Sequence, residues 1–283
     1  MILLNNRRVP ITKFPNGENL IKIEDLKIHN ETNEITVKFE DNSDILNLVF
    51  LAKFLDNQTF AKSKILNIEY FPYERMDRSK NQTVFTLKYV CELINDLNFE
   101  VVYISEPHSD VVTALLNKVC PLSYIPNLID TCMEENELDF STDIIYYPDT
   151  TAEKRQGEST WFRYHLTGLK HRDFATGNIT GLELIGDTYL DFNDRKAIMV
   201  DDLCSKGTTF IKGAEKLKEL GIEKVFLIVN HCENSIFQGD IFKTDLIDKV
   251  YTTNSILIEE IWNSKAQIQN NRLFVRDVIG EIK

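Results

Sequence analysis

From about Ile45 the chain alternates between two hydrophobic rhythms. Short β-branched or aromatic runs, Ile65 to Tyr70 and Val101 to Ser105, are interleaved with segments of helical period, Val84 to Leu97 and Val111 to Val119. The second half repeats the order. Strands are expected at Ile144 to Tyr147, Ala197 to Val200 and Val225 to Val229, and helices at Ala152 to Leu166 and Phe210 to Leu220. Strand and helix in alternation build a parallel sheet covered on both faces. The expectation is two similar α/β halves, residues 1–125 and 126–283, with the boundary falling between Cys120 and Asp139.

The helix after Thr209 has the clearest pattern. Ile211, Ala214, Leu217 and Leu220 share one face, Lys212, Glu215, Lys218 and Glu219 take the rest, and Gly221 supplies the stop. Leu169 to Leu190 reads differently, being rich in Gly and Thr after a basic start at Lys170, His171 and Arg172. A mobile loop running into a small hairpin is expected there.

Composition narrows the function classes. Over 283 residues, 43% are hydrophobic and 27% charged, as in an ordinary globular chain. A net charge of -12 has the wrong sign for general nucleic-acid binding, although a small phosphate ligand in a locally basic cleft is compatible with it. The five cysteines are scattered, without a CxxC pair, and read as reduced thiols in a cytosol-like compartment. No secretory signal is read ahead of Asn5 and Asn6. The most apolar stretch, Ile45 to Leu55, is interrupted by Asn47 and Lys53 and falls short of the roughly 20 residues a membrane span needs.

The strongest chemical signal is Lys196 to Phe210, KAIMVDDLCSKGTTF: a buried strand, two acids at its carboxyl end, a short loop with glycine and hydroxyls, then a helix. Ligands of α/β sheets bind at such carboxyl ends. The N–H groups of a helix start, with the hydroxyls of Ser205, Thr208 and Thr209, suit a phosphate, while Asp201 and Asp202 suit sugar hydroxyls or Mg²⁺. The ligand described is a sugar phosphate. Neither a Walker loop nor a GxGxxG fingerprint occurs. The bland alternative is that the acids only punctuate a strand and cap a helix.

This segment resembles the ribose-5-phosphate loop of type I phosphoribosyltransferases and of the ribose-phosphate pyrophosphokinases, and further motifs single out the second family. Phe14 to Glu18, FPNGE, resembles its Phe-x-Asp-Gly-Glu, and Tyr73 to Arg78, YERMDR, its Tyr-Ala-Arg-Gln-Asp-Arg. Glu106 to His108 resembles Asp-Leu-His, Pro148 and Asp149 a Pro-Asp turn, Lys170 and Arg172 the Lys-Arg-Arg of a catalytic loop, and Asn230 and His231 a Thr-His pair. The fragments keep the family's order along almost the whole chain.

The resemblance implies an α/β fold of two phosphoribosyltransferase-like, Rossmann-like lobes with mainly parallel sheets and a small hairpin flag. It implies transfer of the β,γ-diphosphoryl group of Mg-ATP to an anomeric 1-hydroxyl, with release of AMP. Lys170, Arg172 and His108 would be catalytic, and Phe14, Asn16, Glu18, Arg75, Met76 and Asp77 would bind ATP. Asp201, Asp202, Ser205, Lys206, Gly207, Thr208 and Thr209 would bind the ribose phosphate, and His108 with Asp149 would lie at the Mg²⁺. The chemistry is consistent with these residue types, because phosphoryl transfer needs positioning and charge neutralisation rather than a protein nucleophile. Taken singly, a histidine such as His108 or His231 is more often structural, Lys170 to Arg172 could be a solvated basic turn, and Arg75 and Arg78 with Glu74 and Asp77 a surface ion-pair cluster.

Departures from the family bear on the acceptor. Ser205 stands at an expected Asp, Lys206 at a Thr and Thr208 at a Gly, so the loop has lost an acid and gained a cation. This suits a more extended anion than a terminal monophosphate. The variant loop, with NHCENSIF and KVYTTNSI, is similar to phage and bacterial relatives in NAD salvage, some of which pyrophosphorylate ADP-ribose. ADP-ribose is therefore the expected acceptor ahead of ribose 5-phosphate. Because Phe14 resembles a residue that reaches ATP on a neighbouring subunit, at least a dimer is implied, in the cytoplasm, and in a host's if phage-encoded. A phosphoribosyltransferase or a non-catalytic regulatory homologue are the competing readings; neither nucleic acid nor membrane is expected as a partner.

Overall fold

The computed structural model describes residues 1–79, 82–157, 160–172, 179–266 and 271–280, and only the backbone of 170–172, 179 and 180. The chain divides into two compact units, Met1–Ser123 with the segment from Asp277, and Tyr124–Arg276.

The first unit contains β1 (Ile2–Leu4), β2 (Arg7–Arg8), β3 (Ile11–Lys13), β4 (Asn19–Ile21), β5 (Thr32–Val37), α1 (Ser43–Asp56), β6 (Ser63–Ile68), α2 (Thr86–Asn95), β7 (Val102–Ser105), α3 (Asp110–Leu115) and β8 (Val119–Leu122). Its sheet has the order β2-β1-β5-β6-β7-β8. The last four strands are parallel, and β1 runs antiparallel to both neighbours. The β3 and β4 strands form a separate antiparallel hairpin. Leu48, Leu51 and Leu55 of α1 and Leu87, Cys91 and Ile94 of α2 join Ile35, Leu66 and Ile104 of the sheet in one core.

The second unit contains α4 (Ile125–Asn136), β9 (Ile144–Tyr147), α5 (Thr150–Gln156), β10 (Tyr164–Arg172), β11 (Ile179–Gly186), β12 (Lys196–Cys204), α6 (Thr208–Glu219), β13 (Lys224–Cys232), β14 (Lys249–Thr253), α7 (Glu259–Ser264) and β15 (Leu273–Arg276). The order β11-β10-β9-β12-β13-β14-β15 is parallel apart from the antiparallel β10–β11 pair. Alternate residues of its central strands feed opposite faces. Ile144, Tyr146, Met199 and Leu227 pack with Phe210, Ala214 and Leu217 of α6, whereas Ile145, Tyr147, Ile198 and Ile228 pack with Leu128, Ile129 and Cys132 of α4. Burial on both faces explains why these strands read as unbroken apolar runs.

Three expectations are corrected. The helix expected over Ala152 to Leu166 stops at Gln156, and Tyr164 onward is strand, as the β-branched and aromatic residues Thr160, Trp161, Phe162 and Tyr164 favour. Leu169 to Arg172 continue that strand instead of opening a loop; the centre of the expected loop lies outside the described residues. In α6 the buried face is Phe210, Gly213, Ala214 and Leu217, with Leu220 exposed, so the inward stripe is rotated from the one read from the sequence. All five cysteines are free thiols. No helix among the described residues is long and apolar enough to cross a membrane.

Candidate active site

In the second unit, β12 pairs with β9 as far as Met199 and continues alongside β13 to Cys204. Asp201 and Asp202 therefore sit inside the strand, near its carboxyl end. Neighbouring strand residues point to opposite faces, yet one guanidinium nitrogen of Arg155, from the last turn of α5, reaches both. It donates to Asp201 Oδ1 at 2.8 Å and to Asp202 Oδ1 at 3.0 Å. The Asp202 amide also donates to Asp201 Oδ1, at 2.9 Å. Burial, reinforced by the Asp202 charge, pushes the Asp201 carboxyl well above the usual carboxylate range, against the pull of Arg155.

The loop turns into α6 at Gly207, whose φ of +83° is in the left-handed region. A Cβ there would also stand 2.2 Å from Ile241 Cδ1, so glycine is required on both counts. No side chain caps α6, leaving the amides of its first turn, at Thr208 and Thr209, presented by backbone alone. Lys206 is exposed. Ser205, expected as a phosphate donor, donates a hydrogen bond to Glu233 Oε2 at 2.6 Å. The neighbouring carboxylate is the stronger acceptor and is already in reach.

Asp149, a proposed metal ligand, is the N-cap of α5; its Oδ1 accepts from the amides of Thr151 and Ala152, both at 3.1 Å. Lys170 and Arg172 occupy the end of β10, where pairing with β9 has ended at Thr167 and β11 is the sole strand partner among the described residues. The register shifts between His171 and Arg172. Asn230 and His231 are buried in β13, and His231 Nδ1 is 2.8 Å from Ser255 Oγ.

In the first unit, Phe14 to Glu18 form the turn of the β3–β4 hairpin. It is closed by Phe14 N to Glu18 O at 2.8 Å and braced by Asn16 Nδ2 to Glu18 Oε2 at 2.8 Å. Phe14 is 46% exposed. The YERMDR segment makes a short 3-10 turn over Glu74–Met76, with Arg75 and Met76 exposed. Glu74 is buried and accepts from the Phe71 amide at 3.0 Å and the His108 amide at 2.5 Å, tying this turn to the Glu106 to His108 loop. Asp77 is buried beside Arg78, whose Nε donates at 2.7 Å, and this pair holds the carboxyl below its usual range.

The sequence reading missed Arg155, Glu233 and Glu74. Arg155 and Glu233 act on residues 46 and 28 positions away in the chain, which no local motif reveals. Glu74 was read only as one member of a surface ion-pair cluster, whereas it is buried. As for Mg²⁺, that ion takes one or two carboxylates and completes its octahedron with water and substrate phosphates. A carboxylate has lone pairs beyond those used in a cap, so Asp149 fits such a donor set.

Residues 176–274 match the phosphoribosyl synthetase-associated domain model. The ribose-phosphate pyrophosphokinase of Pyrococcus furiosus is 26% identical over 258 residues, which span 88% of this chain and 86% of that protein. That of Pyrococcus abyssi is 25% identical over 230 residues, spanning 79% and 75%. Over most of its length the chain is similar to ribose-phosphate pyrophosphokinases. The fold agrees: the phosphoribosylpyrophosphate synthetase structure from Mycobacterium smegmatis superposes with a TM-score of 0.73 over 96% of this chain and 87% of that one, at 15% identity. The shared fold is two phosphoribosyltransferase-like α/β lobes with mainly parallel sheets. In this chain the acid pair and the Gly207 turn both lie in the second unit.

Proposed function

We propose that the chain transfers the β,γ-diphosphoryl group of Mg-ATP to the anomeric 1-hydroxyl of a ribose-5-phosphoryl acceptor and releases AMP. The observation that carries this reading is the carboxyl end of β12, where an arginine-braced acid pair leads through a glycine turn into an uncapped helix start. The acids accept from ribose hydroxyls, and the α6 amides take the 5-phosphoryl group. Arg75, Met76, Asp77, Phe14, Asn16 and Glu18 bind ATP. Lys170 and Arg172 stabilise the charge on the transferring diphosphoryl group and on departing AMP, with His108 beside it. Asp149 and His108 would hold Mg²⁺, which when bound neutralises phosphate charge. The Phe14 turn, reaching ATP on a neighbouring subunit, makes the active form at least a dimer, and the setting is the cytoplasm.

The acceptor is ADP-ribose ahead of ribose 5-phosphate. The support is the altered loop, in which Ser205 replaces an acid and Lys206 adds a cation. Its product would be ADP-ribose 1-pyrophosphate, an intermediate for rebuilding NAD, as in the phage and bacterial branch that the sequence resembles.

The test is AMP release from Mg-ATP with each acceptor, the products identified by mass. Turnover with ADP-ribose well above that with ribose 5-phosphate is expected, and Lys170→Ala and Arg172→Ala should each lower kcat by about 10²–10³. Preference for ribose 5-phosphate would overturn the choice of acceptor. No AMP with either would leave the non-catalytic reading, and use of an activated ribose with a free base would leave the phosphoribosyltransferase one.

A further inference from the structure

The end of β13 folds back over the ribose-phosphate loop. The Glu233 amide donates to the Cys204 carbonyl at 2.9 Å, and Gly239 lies so close to the loop backbone that a Cβ would meet the Lys206 oxygen at 1.9 Å. Glu233 is thereby built into the wall of the loop. Its Oε2 accepts from Ser205 Oγ at 2.6 Å and from Ser235 Oγ at 2.9 Å, and the two hydroxyl oxygens are 2.9 Å apart. The loop lacks the acid expected at position 205, but a carboxylate arrives beside it from the neighbouring strand.

A carboxylate there discriminates by charge. A terminal phosphate monoester has a second pKa near 6 and is mainly a dianion at neutral pH, whereas a phosphoryl group esterified on both sides carries a single negative charge. Lys206 and the α6 amides attract either, while Glu233 repels the dianion more strongly than the monoanion. The geometry points to Glu233 as the specificity-determining residue of this site, selecting a doubly esterified, singly charged 5-phosphoryl group, as in a dinucleotide-like acceptor, over a terminal phosphate. This rests on the reading of the loop as the acceptor's phosphoryl site.

The charge can be separated from the bulk of the adenosine moiety with three acceptors: ribose 5-phosphate, its 5-(methyl phosphate) diester, which is a monoanion, and ADP-ribose. AMP release is measured for the full-length protein and for Glu233→Gln, which keeps the shape and an acceptor oxygen. The unaltered protein should use the methyl ester at least about tenfold more efficiently in kcat/KM than ribose 5-phosphate, and Glu233→Gln should narrow that ratio to under about threefold by raising kcat/KM for ribose 5-phosphate. Ser235→Ala, which keeps the charge and removes one hydroxyl, should retain the preference and covers the case in which Glu233→Gln does not fold. Equal use of methyl ester and ribose 5-phosphate by the unaltered protein, a ratio unchanged in Glu233→Gln, or a ratio lost in Ser235→Ala overturns the assignment. Absence of AMP with all three acceptors marks instead the failure of the diphosphokinase reading.

Discussion

Arg155 of α5 and Asp201 of β12 meet at 2.8 Å, with only 17% of either side chain exposed. The same nitrogen serves Asp202, so this cation is what allows two adjacent, largely buried carboxylates to coexist. Arg155→Gln should cost about 3 kcal/mol of stability and raise KM for the acceptor. Because the Asp201 pKa is already raised in the folded chain, ionisation opposes folding, and the loss should grow with pH and shrink under acid conditions. Arg155→Lys should recover part of the stability without the shared contact. Denaturant unfolding at pH 5 and pH 8 checks both points.

Glu74 holds the Glu74–Met76 turn to the His108 loop through two backbone amides. Glu74→Gln retains only one acceptor oxygen and turns an amide nitrogen toward the other donor. One buried N–H is then left unsatisfied, for about 1–3 kcal/mol. Unfolding should show that loss, and steady-state kinetics should show a fall in kcat greater than in the nearby surface variant Tyr89→Phe.

Glu69, at the end of β6, is buried and bonded by Ser105 Oγ at 2.7 Å. Burial raises its pKa from 4.5 to about 7, with the Glu34 charge adding to the rise and the Ser105 bond opposing it. The folded chain thus binds this proton more tightly than the unfolded chain, and stability should fall as pH rises from about 4.5 through 7, by on the order of 3 kcal/mol. Melting temperatures between pH 5 and 8 should decline less steeply in Glu69→Gln. Equal slopes would remove Glu69 from the account.

Gly207→Ala places a methyl group in a left-handed position against Ile241. The backbone contributes about 1–2 kcal/mol of destabilisation and the overlap about 1–3 kcal/mol. Adding Ile241→Ala should relieve the overlap relative to the sum of the single variants, but not the backbone strain. A double-mutant cycle on stability measures that coupling, and acceptor KM should stay raised in both Gly207 variants.

The parallel core was legible because burial leaves a simple mark: Ile144 to Tyr147 is apolar throughout and is buried throughout. Apolar and aromatic residues after Gln156 were taken for more helix, since spacing alone does not separate a short helix followed by an extended segment from one long helix. The acid pair and its loop were legible as a local run. Arg155 and Glu233 were not, because each owes its role to a partner brought close only by the sheet. Phe14 to Glu18 and Tyr73 to Arg78 were found as motifs, whereas Glu74 among them works by accepting from backbone amides, a role that leaves no pattern in side-chain chemistry.

The end of β10 separates two design variables. Up to Thr167 it is stitched into the parallel sheet, and from Leu169 to Arg172 its pairing among the described residues is with β11, as a ribbon at the edge. Residue pairs added or removed beyond Arg172 would leave every contact between β9 and β10 in register. The distance at which Lys170 and Arg172 are carried can therefore change while the pairing of β9 with β10 stays constant, so the reach of these cations is uncoupled from the register of the sheet.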